Sequence, residues 1–383
     1  MAFLAQPMEL AGLHLRNRLV MLPMVTNLSH ADGTVSDALV AHYGARAARD
    51  IGLVIVESTP VAADARNCLC NLGAWDDAQV PGLARLAARI KAGGAAAAIQ
   101  LMHGGAKTLV GLPAVSPSGV PLRASEPPSV LDEAELPRIV EQFARAAHRV
   151  ALAGFDGIEI HAAHMYLLSE FLSPFTNRRH DHYGGDAARR ARLVEEVVRA
   201  VRRQVGPDFP VLLRMHGEER LEGGMTQEEV LATARRLAEA GVDAFDVSAL
   251  REAGQVEKGG YTYWATRPYL TKENPPGAAV ANAAAIKQAT GVPVIAVGKM
   301  GVPEVARRAV ASGQADLVGV GRGFLCDPGL GPKLLEGRAE DITRCDECFV
   351  CLETVVTKQR TIRCSQNRSL GRMPEVRAAV APG

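Results

Sequence analysis

Eight short runs of β-type apolar residues, separated by stretches with helical periodicity, constrain this chain more than any other feature. The runs are Leu19–Leu22, Leu53–Glu57, Ala96–Leu101, Gly157–Ile160, Val211–Arg214, Ala244–Val247, Val294–Val297 and Leu317–Val320. Helical spacing occupies Asp132–Ala153, Asp186–Val205, Gln227–Ala240, Ala278–Thr290 and Pro303–Ser312. Such alternation makes an α/β chain with parallel strands. Eight repeats is the count that closes a (β/α)8 TIM barrel, with a doubly wound sheet as the rival. At 383 residues and 48% hydrophobic content, the chain can bury one barrel core with extensions. We expect a barrel over 1–338 and a small C-terminal cysteine-rich extension over 339–383.

Charge excludes some partners. With 43 basic and 42 acidic residues the net charge is +1, which argues against nucleic acid or an anionic membrane. No apolar run approaches the roughly 20 residues that span a bilayer. The start, MAFLAQPMELAGLHLRNR, lacks the basic and long apolar regions of a signal peptide. Seven cysteines is an odd number and four crowd the C-terminus, a pattern for metal or cluster ligation in a reducing cytoplasm rather than disulfides.

Barrel chemistry sits at the carboxyl ends of strands. The fourth run breaks into His161–Gly185, and His161, His164 and Tyr166 leave it within six residues. Gln100 ends the third run, where a buried amide must be paired or cost about 1–3 kcal/mol. Arg214 ends the fifth, and a buried guanidinium needs a partner. Gly298-Lys299 and Gly321-Arg322 follow the seventh and eighth, where many barrels bind phosphate. Pro23-Met24-Val25 follows the first, and Glu57 ends the second, with an ion pair and a catalytic role equally open. Lys107–Val130, rich in Pro, Ser and Gly, reads as a lid. Ala249–Pro276 reads as a second long loop. Its Tyr261, Tyr263, Trp264 and Tyr269 form either an aromatic wall for substrate or a small core.

The segment H-x-x-H-x-Y-L-L-x-x-F-L-S-P…N-x-R…D-x-Y-G-G beginning at His161 resembles the signature of the old yellow enzyme family of flavin mononucleotide (FMN) oxidoreductases. The resemblance implies FMN with Pro23, Met24 and Val25 under its ring, Gln100 on its pyrimidine edge, and Arg214 at the N1–C2 carbonyl. Gly298, Lys299, Gly321 and Arg322 would hold its phosphate. His161 and His164 would clamp a substrate carbonyl oxygen, and Tyr166 would protonate the α-carbon as hydride reaches the β-carbon. NADH or NADPH is the implied donor. Asn177, Arg178, Asp181, Tyr183, Gly184 and Gly185 match the family's structural clasp.

The tail carries Cys345-x2-Cys348-x2-Cys351-x12-Cys364. Two successive x2 gaps and a distant fourth thiolate suit a 4Fe-4S cluster, with zinc as the rival. The run is similar to the one after the barrel in trimethylamine dehydrogenase and 2,4-dienoyl-CoA reductase. The residues after the first strand, PMVTNLSH, lack a cysteine, so FMN is expected to bind noncovalently. No G-x-G-x-x-G opens a βαβ unit, which leaves electron exchange to a separate electron-transfer protein or makes the cluster structural. Cys68, Cys70 and Cys326 read as ordinary thiols. An ene-reductase acting on an α,β-unsaturated carbonyl or enoyl thioester is the expected activity for a small-molecule substrate, in a homo-oligomer. Amine dehydrogenation or N-demethylation, and a flavin/iron–sulfur subunit of a larger electron-transfer complex, are the alternatives.

Overall fold

The computed structural model describes residues 2–372 apart from 111–112, 124, 251 and 268–270. Eight parallel strands close into a barrel: β1 (Leu19–Met21), β2 (Leu53–Pro60), β3 (Ala96–Met102), β4 (Gly157–Ala162), β5 (Val211–Glu219), β6 (Ala244–Leu250), β7 (Val294–Ala296) and β8 (Leu317–Val320). Each pairs with the next, and β8 returns to β1 through Val318↔Leu19. Closure decides against the doubly wound sheet.

The strands are apolar on both faces because both faces are covered. Val20, Leu53, Ile55, Ala96, Ala98, Leu212, Ala244, Ile295 and Leu317 fill the interior. The intervening Val54, Val56, Ala97, Ile99, Leu213, Phe245 and Val318 pack outward in the larger core shared with the helices. A hairpin of Met8–Leu10 and Leu13–Leu15 adds fully buried Leu10 and Leu15 to the interior cluster and plugs that end. Polar chemistry is thereby left to the other end. The helices keep their expected places: Asp186 caps Ala187–Val205 and Thr226 forms a capping box with Glu229 before Gln227–Glu239.

The long connections are more ordered than their composition suggests. The stretch expected as a loop after β6 holds an antiparallel hairpin, Glu252–Lys258 against Tyr261–Arg267. Gly259 and Gly260 turn it with φ of +62° and +79°, the sign at both central residues that a two-residue type I′ turn requires. Trp264 stacks edge-on against Phe175 at 5.0 Å and joins a satellite core with Val120, Leu122 and Met165. Its amide donates to Pro121 O, within the long loop after β3, at 2.9 Å. Tyr261 is exposed, and Tyr269 lies outside the described residues. No helix among the described residues is long and apolar enough to cross a membrane.

The clasp after β4 differs in one member. Arg179, rather than the exposed Arg178, makes the contacts: it donates to Asp181 and to the carbonyl oxygens of Pro117 and Leu131. Asn177 donates to Phe171 O and Tyr183 O.

Candidate active site

Inward alternation carries each strand from an apolar barrel floor to a polar mouth. On β4 the inward sequence is Gly157, Glu159, His161; on β5 it is Leu212, Arg214, His216; on β6 it is Ala244, Asp246, Ser248. Register sets Gln100 beside Glu159, and His161, Arg214 and Asp246 side by side. Gln100 Nε2 donates to Glu159 Oε1 at 2.7 Å, and Arg214 Nε lies 3.4 Å from Asp246 Oδ2. Burial, then the Asp246 charge, pushes the Glu159 carboxyl well above its usual range; burial raises Asp246 while Arg214 pulls it down. Arg214 thus favours charge on Asp246 over charge on Glu159.

The loop after β4 stores strain. His164 and Met165 hold φ of +63° and +54°, a region that costs bulky residues about 1–2 kcal/mol each. A relay fixes this shape. His164 N–H donates to His216 Nε2 at 2.7 Å, so the His216 proton sits on Nδ1 and is donated to Glu219 Oε1 at 3.0 Å. Glu219 in turn accepts from Ser173 Oγ and Met225 N. His164 Nε2 lies 2.7 Å from Ser248 Oγ. His216 and Ser248 escaped notice in the sequence, although continuing the period-2 pattern past Arg214 and Asp246 reaches both.

The His161 and His164 rings meet edge to face at 5.0 Å, and Tyr166 lies 5.1 Å from His161. Burial, then the Arg214 guanidinium, holds both imidazoles well below their ordinary pKa, so each is neutral and donates one N–H. Asn67 Nδ2 donates to the Tyr166 hydroxyl at 2.6 Å. Lys107 Nζ stands 5.7 Å from the centre of that ring, donating to His164 O and Thr266 Oγ1; burial lowers it to about 8. Glu57 lies outside this group, accepting from Thr26 Oγ1 and Tyr43, and burial raises it to about 7.

Gln100, His161, His164, Tyr166, Arg214 and Ser248 line one cavity of about 350 Å³ together with Pro23, Met24 and Val25. At its far end stand Gly298, Lys299, Gly321 and Arg322. A Cβ on Gly321 would sit 3.1 Å from Met24 Sδ, and one on Gly319 would sit 2.7 Å from Leu22, so only glycine leaves this floor open. Four lining side chains are basic (Arg214, Lys299, Arg322, Arg344) and one, Glu347, is acidic. A flat, anionic, phosphorylated cofactor fits such a space. His161 Nδ1, Arg214 Nε and Ser58 Oγ are buried without hydrogen-bond partners in the protein, polar atoms that the edge of an isoalloxazine would satisfy.

The cysteines are less convergent. Cys351 is buried among Leu325, Val355, Ile362 and Leu370; Cys348 is exposed and bonded to Ser365 Oγ at 3.1 Å. Cys364 Sγ lies 3.5 Å from Cys326 Sγ, and Cys345 is hydrogen-bonded to the same Cys326 thiol, so Cys326 is no bystander as its sequence context suggests. Among the described residues no three potential ligands surround a common point, and this arrangement does not fit a cluster as it stands. Ile362 N–H donates to Thr26 O and joins the extension to the loop after β1.

A closed parallel barrel with neutral imidazoles and a phenol at one side of its mouth, and a basic glycine-lined pocket at the other, defines an FMN-type oxidoreductase. The chain belongs to the NADH:flavin oxidoreductase / NADH oxidase family, whose profile matches residues 3–341. The NADH oxidase of Thermoanaerobacter brockii is 39% identical over 95% of this chain and 56% of its own. The structure of 2-naphthoyl-CoA reductase with 2-naphthoyl-CoA superposes with a TM-score of 0.88 at 27% identity, over 97% of this chain and 57% of that one. Histamine dehydrogenase from Rhizobium sp. 4-9 superposes with a TM-score of 0.83 at 27% identity, over 97% and 53%. The chain spans about half the length of these relatives.

Proposed function

We propose that this chain is an ene-reductase, reducing the C=C bond of an α,β-unsaturated carbonyl or enoyl thioester with electrons from NADH or NADPH. The observation that carries this reading is the pair of neutral, buried imidazoles, His161 and His164, beside Tyr166. FMN, bound in the cavity, supplies the hydride chemistry. His161 and His164 each offer one N–H to the substrate carbonyl, and donors preorganised at an oxygen that gains charge contribute several kcal/mol. Tyr166 supplies the α-carbon proton, and the Asn67 amide at 2.6 Å stabilises the phenolate left behind. Likeness to histamine dehydrogenase favours amine oxidation as a second reading. The charge at the site speaks against it: the Arg214 guanidinium lines the cavity beside His161, where an ammonium would be repelled and an enolate attracted.

We also propose that Cys345, Cys348, Cys351 and Cys364 bind a 4Fe-4S cluster in an extension over 339–383, a reading supported by their spacing in the sequence. Iron, sulfide and zinc analysis of anaerobically purified protein tests this, and stoichiometric zinc without sulfide would replace it.

The activity is tested by titrating the protein anaerobically with NADH and NADPH, then supplying cyclohexenone or an enoyl thioester, and separately by mixing the oxidised protein with a tertiary amine. Flavin reduction by the amine, with no reoxidation of the reduced flavin by either alkene, would overturn the reading. His164→Ala is expected to weaken a phenolic carbonyl mimic by tenfold or more, the loss of about 1.4 kcal/mol, while the flavin absorbance of the purified variant stays at the wild-type level. Titration of ligand-induced spectral shifts measures it.

A further inference from the structure

The cysteine-rich loop contains two residues whose backbone is costly. Glu347 and Phe349 hold φ of +58° and +59°, a conformation that glycine adopts freely and bulky L-residues do not. Such strain persists only where contacts over-determine it. Both sets of contacts lead to the end of the cavity assigned to phosphate. Glu347 Oε1 pairs with Lys299 Nζ at 2.8 Å, and the Phe349 ring lies 4.9 Å from the Arg322 guanidinium carbon. Lys299, also at positive φ, donates a second of its three N–H groups to Asn274 O at 2.6 Å. Glu347 lines the cavity, and its second carboxylate oxygen, Oε2, is buried with no hydrogen-bond partner in the protein. A buried carboxylate oxygen in that position is destabilising unless a donor arrives.

The phosphate cannot be that donor, since two anions repel. A polyol can. We propose that the cysteine-rich loop forms part of the FMN-binding wall, with Glu347 accepting a ribityl hydroxyl through Oε2 while its other oxygen holds Lys299 for the phosphate. This rests on the reading that FMN occupies the cavity. Glu347 thus becomes a cofactor-binding residue contributed from outside the barrel.

Glu347→Gly is the informative variant, because glycine keeps the left-handed backbone at no cost and removes only the carboxylate. Apoprotein of the wild type, Glu347→Gly and Lys299→Ala is titrated with FMN and with riboflavin, following flavin fluorescence, and circular dichroism confirms the fold. Glu347→Gly is expected to weaken both flavins by tenfold or more, because both carry the ribityl chain. Lys299→Ala is expected to weaken FMN alone. Binding of FMN to folded Glu347→Gly within twofold of the wild type would overturn the assignment, as would a loss confined to FMN, which would reduce Glu347 to a support for Lys299. Failure of the wild-type apoprotein to bind FMN would instead defeat the underlying reading of the cavity.

Discussion

Replacing Tyr166 with phenylalanine is expected to slow reduction of an α,β-unsaturated ketone about 10²–10⁴-fold, the range that a positioned general acid contributes. Reduction of the flavin by NADH or NADPH is expected to proceed as in the wild type, because that half-reaction needs no proton from this phenol. The specificity of the effect follows from position. Tyr166 borders the cavity 5.1 Å from His161, and its hydroxyl accepts from Asn67 at 2.6 Å. Phenylalanine keeps the ring that packs beside Lys107 and removes only the transferable proton. Stopped-flow measurement of the two half-reactions separates these outcomes: equal slowing of both would mean that the ring positions cofactor rather than protonating substrate. Unchanged turnover would mean that water or another group donates the proton. Asn67→Leu, which removes the donor to the phenolate oxygen, is expected to slow the same half-reaction less.

The barrel was legible because buried parallel strands are apolar on both faces, so each announced itself as a short unbroken run. Gln100, Arg214 and the His161–Tyr166 group were legible as polar residues interrupting those runs. Their supports were harder to see. His216 and Ser248 continue the inward alternation beyond the residue that first breaks it, and nothing about either side chain alone marks it. The hairpin after β6 hid in a polar, exposed segment whose clearest signal was Gly259-Gly260, two residues that need positive φ together. Cysteine spacing indicates which thiols could share a site, but not their directions. Cys326, far from the run in sequence, is the thiol that meets Cys364. Nor could spacing tell that Glu347 and Phe349 adopt a backbone suited to glycine, since the compensating partners, Lys299 and Arg322, come from other strand ends.

Arg214→Met is expected to have the largest effect on stability, about 3–5 kcal/mol at pH 7, because removing one member of a buried pair leaves the other charge uncompensated. Arg214 is 8% exposed and Asp246 fully buried, so water cannot replace the guanidinium. The loss should also depend on pH, with a definite sign. Burial raises both Glu159 and Asp246 above their unfolded values, and Arg214 restrains Asp246. A carboxyl whose folded pKa is raised binds more protons folded than unfolded. Its destabilising effect is absent below the unfolded pKa and grows as pH climbs toward the folded one. Without Arg214 the Asp246 carboxyl is pushed further up, and each group so raised steepens the fall by up to about 1.4 kcal/mol per pH unit. Urea unfolding from pH 5 to 8 is therefore expected to show the variant approaching the wild type at the acid end and diverging steadily above it. A penalty equal at every pH would mean that Arg214 stabilises the mouth by packing its stem, and that Asp246 has another counter-charge. The same substitution removes the guanidinium that we propose faces the flavin N1–C2 carbonyl, so the purified variant is expected to retain little FMN; full flavin content would displace Arg214 from the cofactor site while leaving its pairing with Asp246 intact.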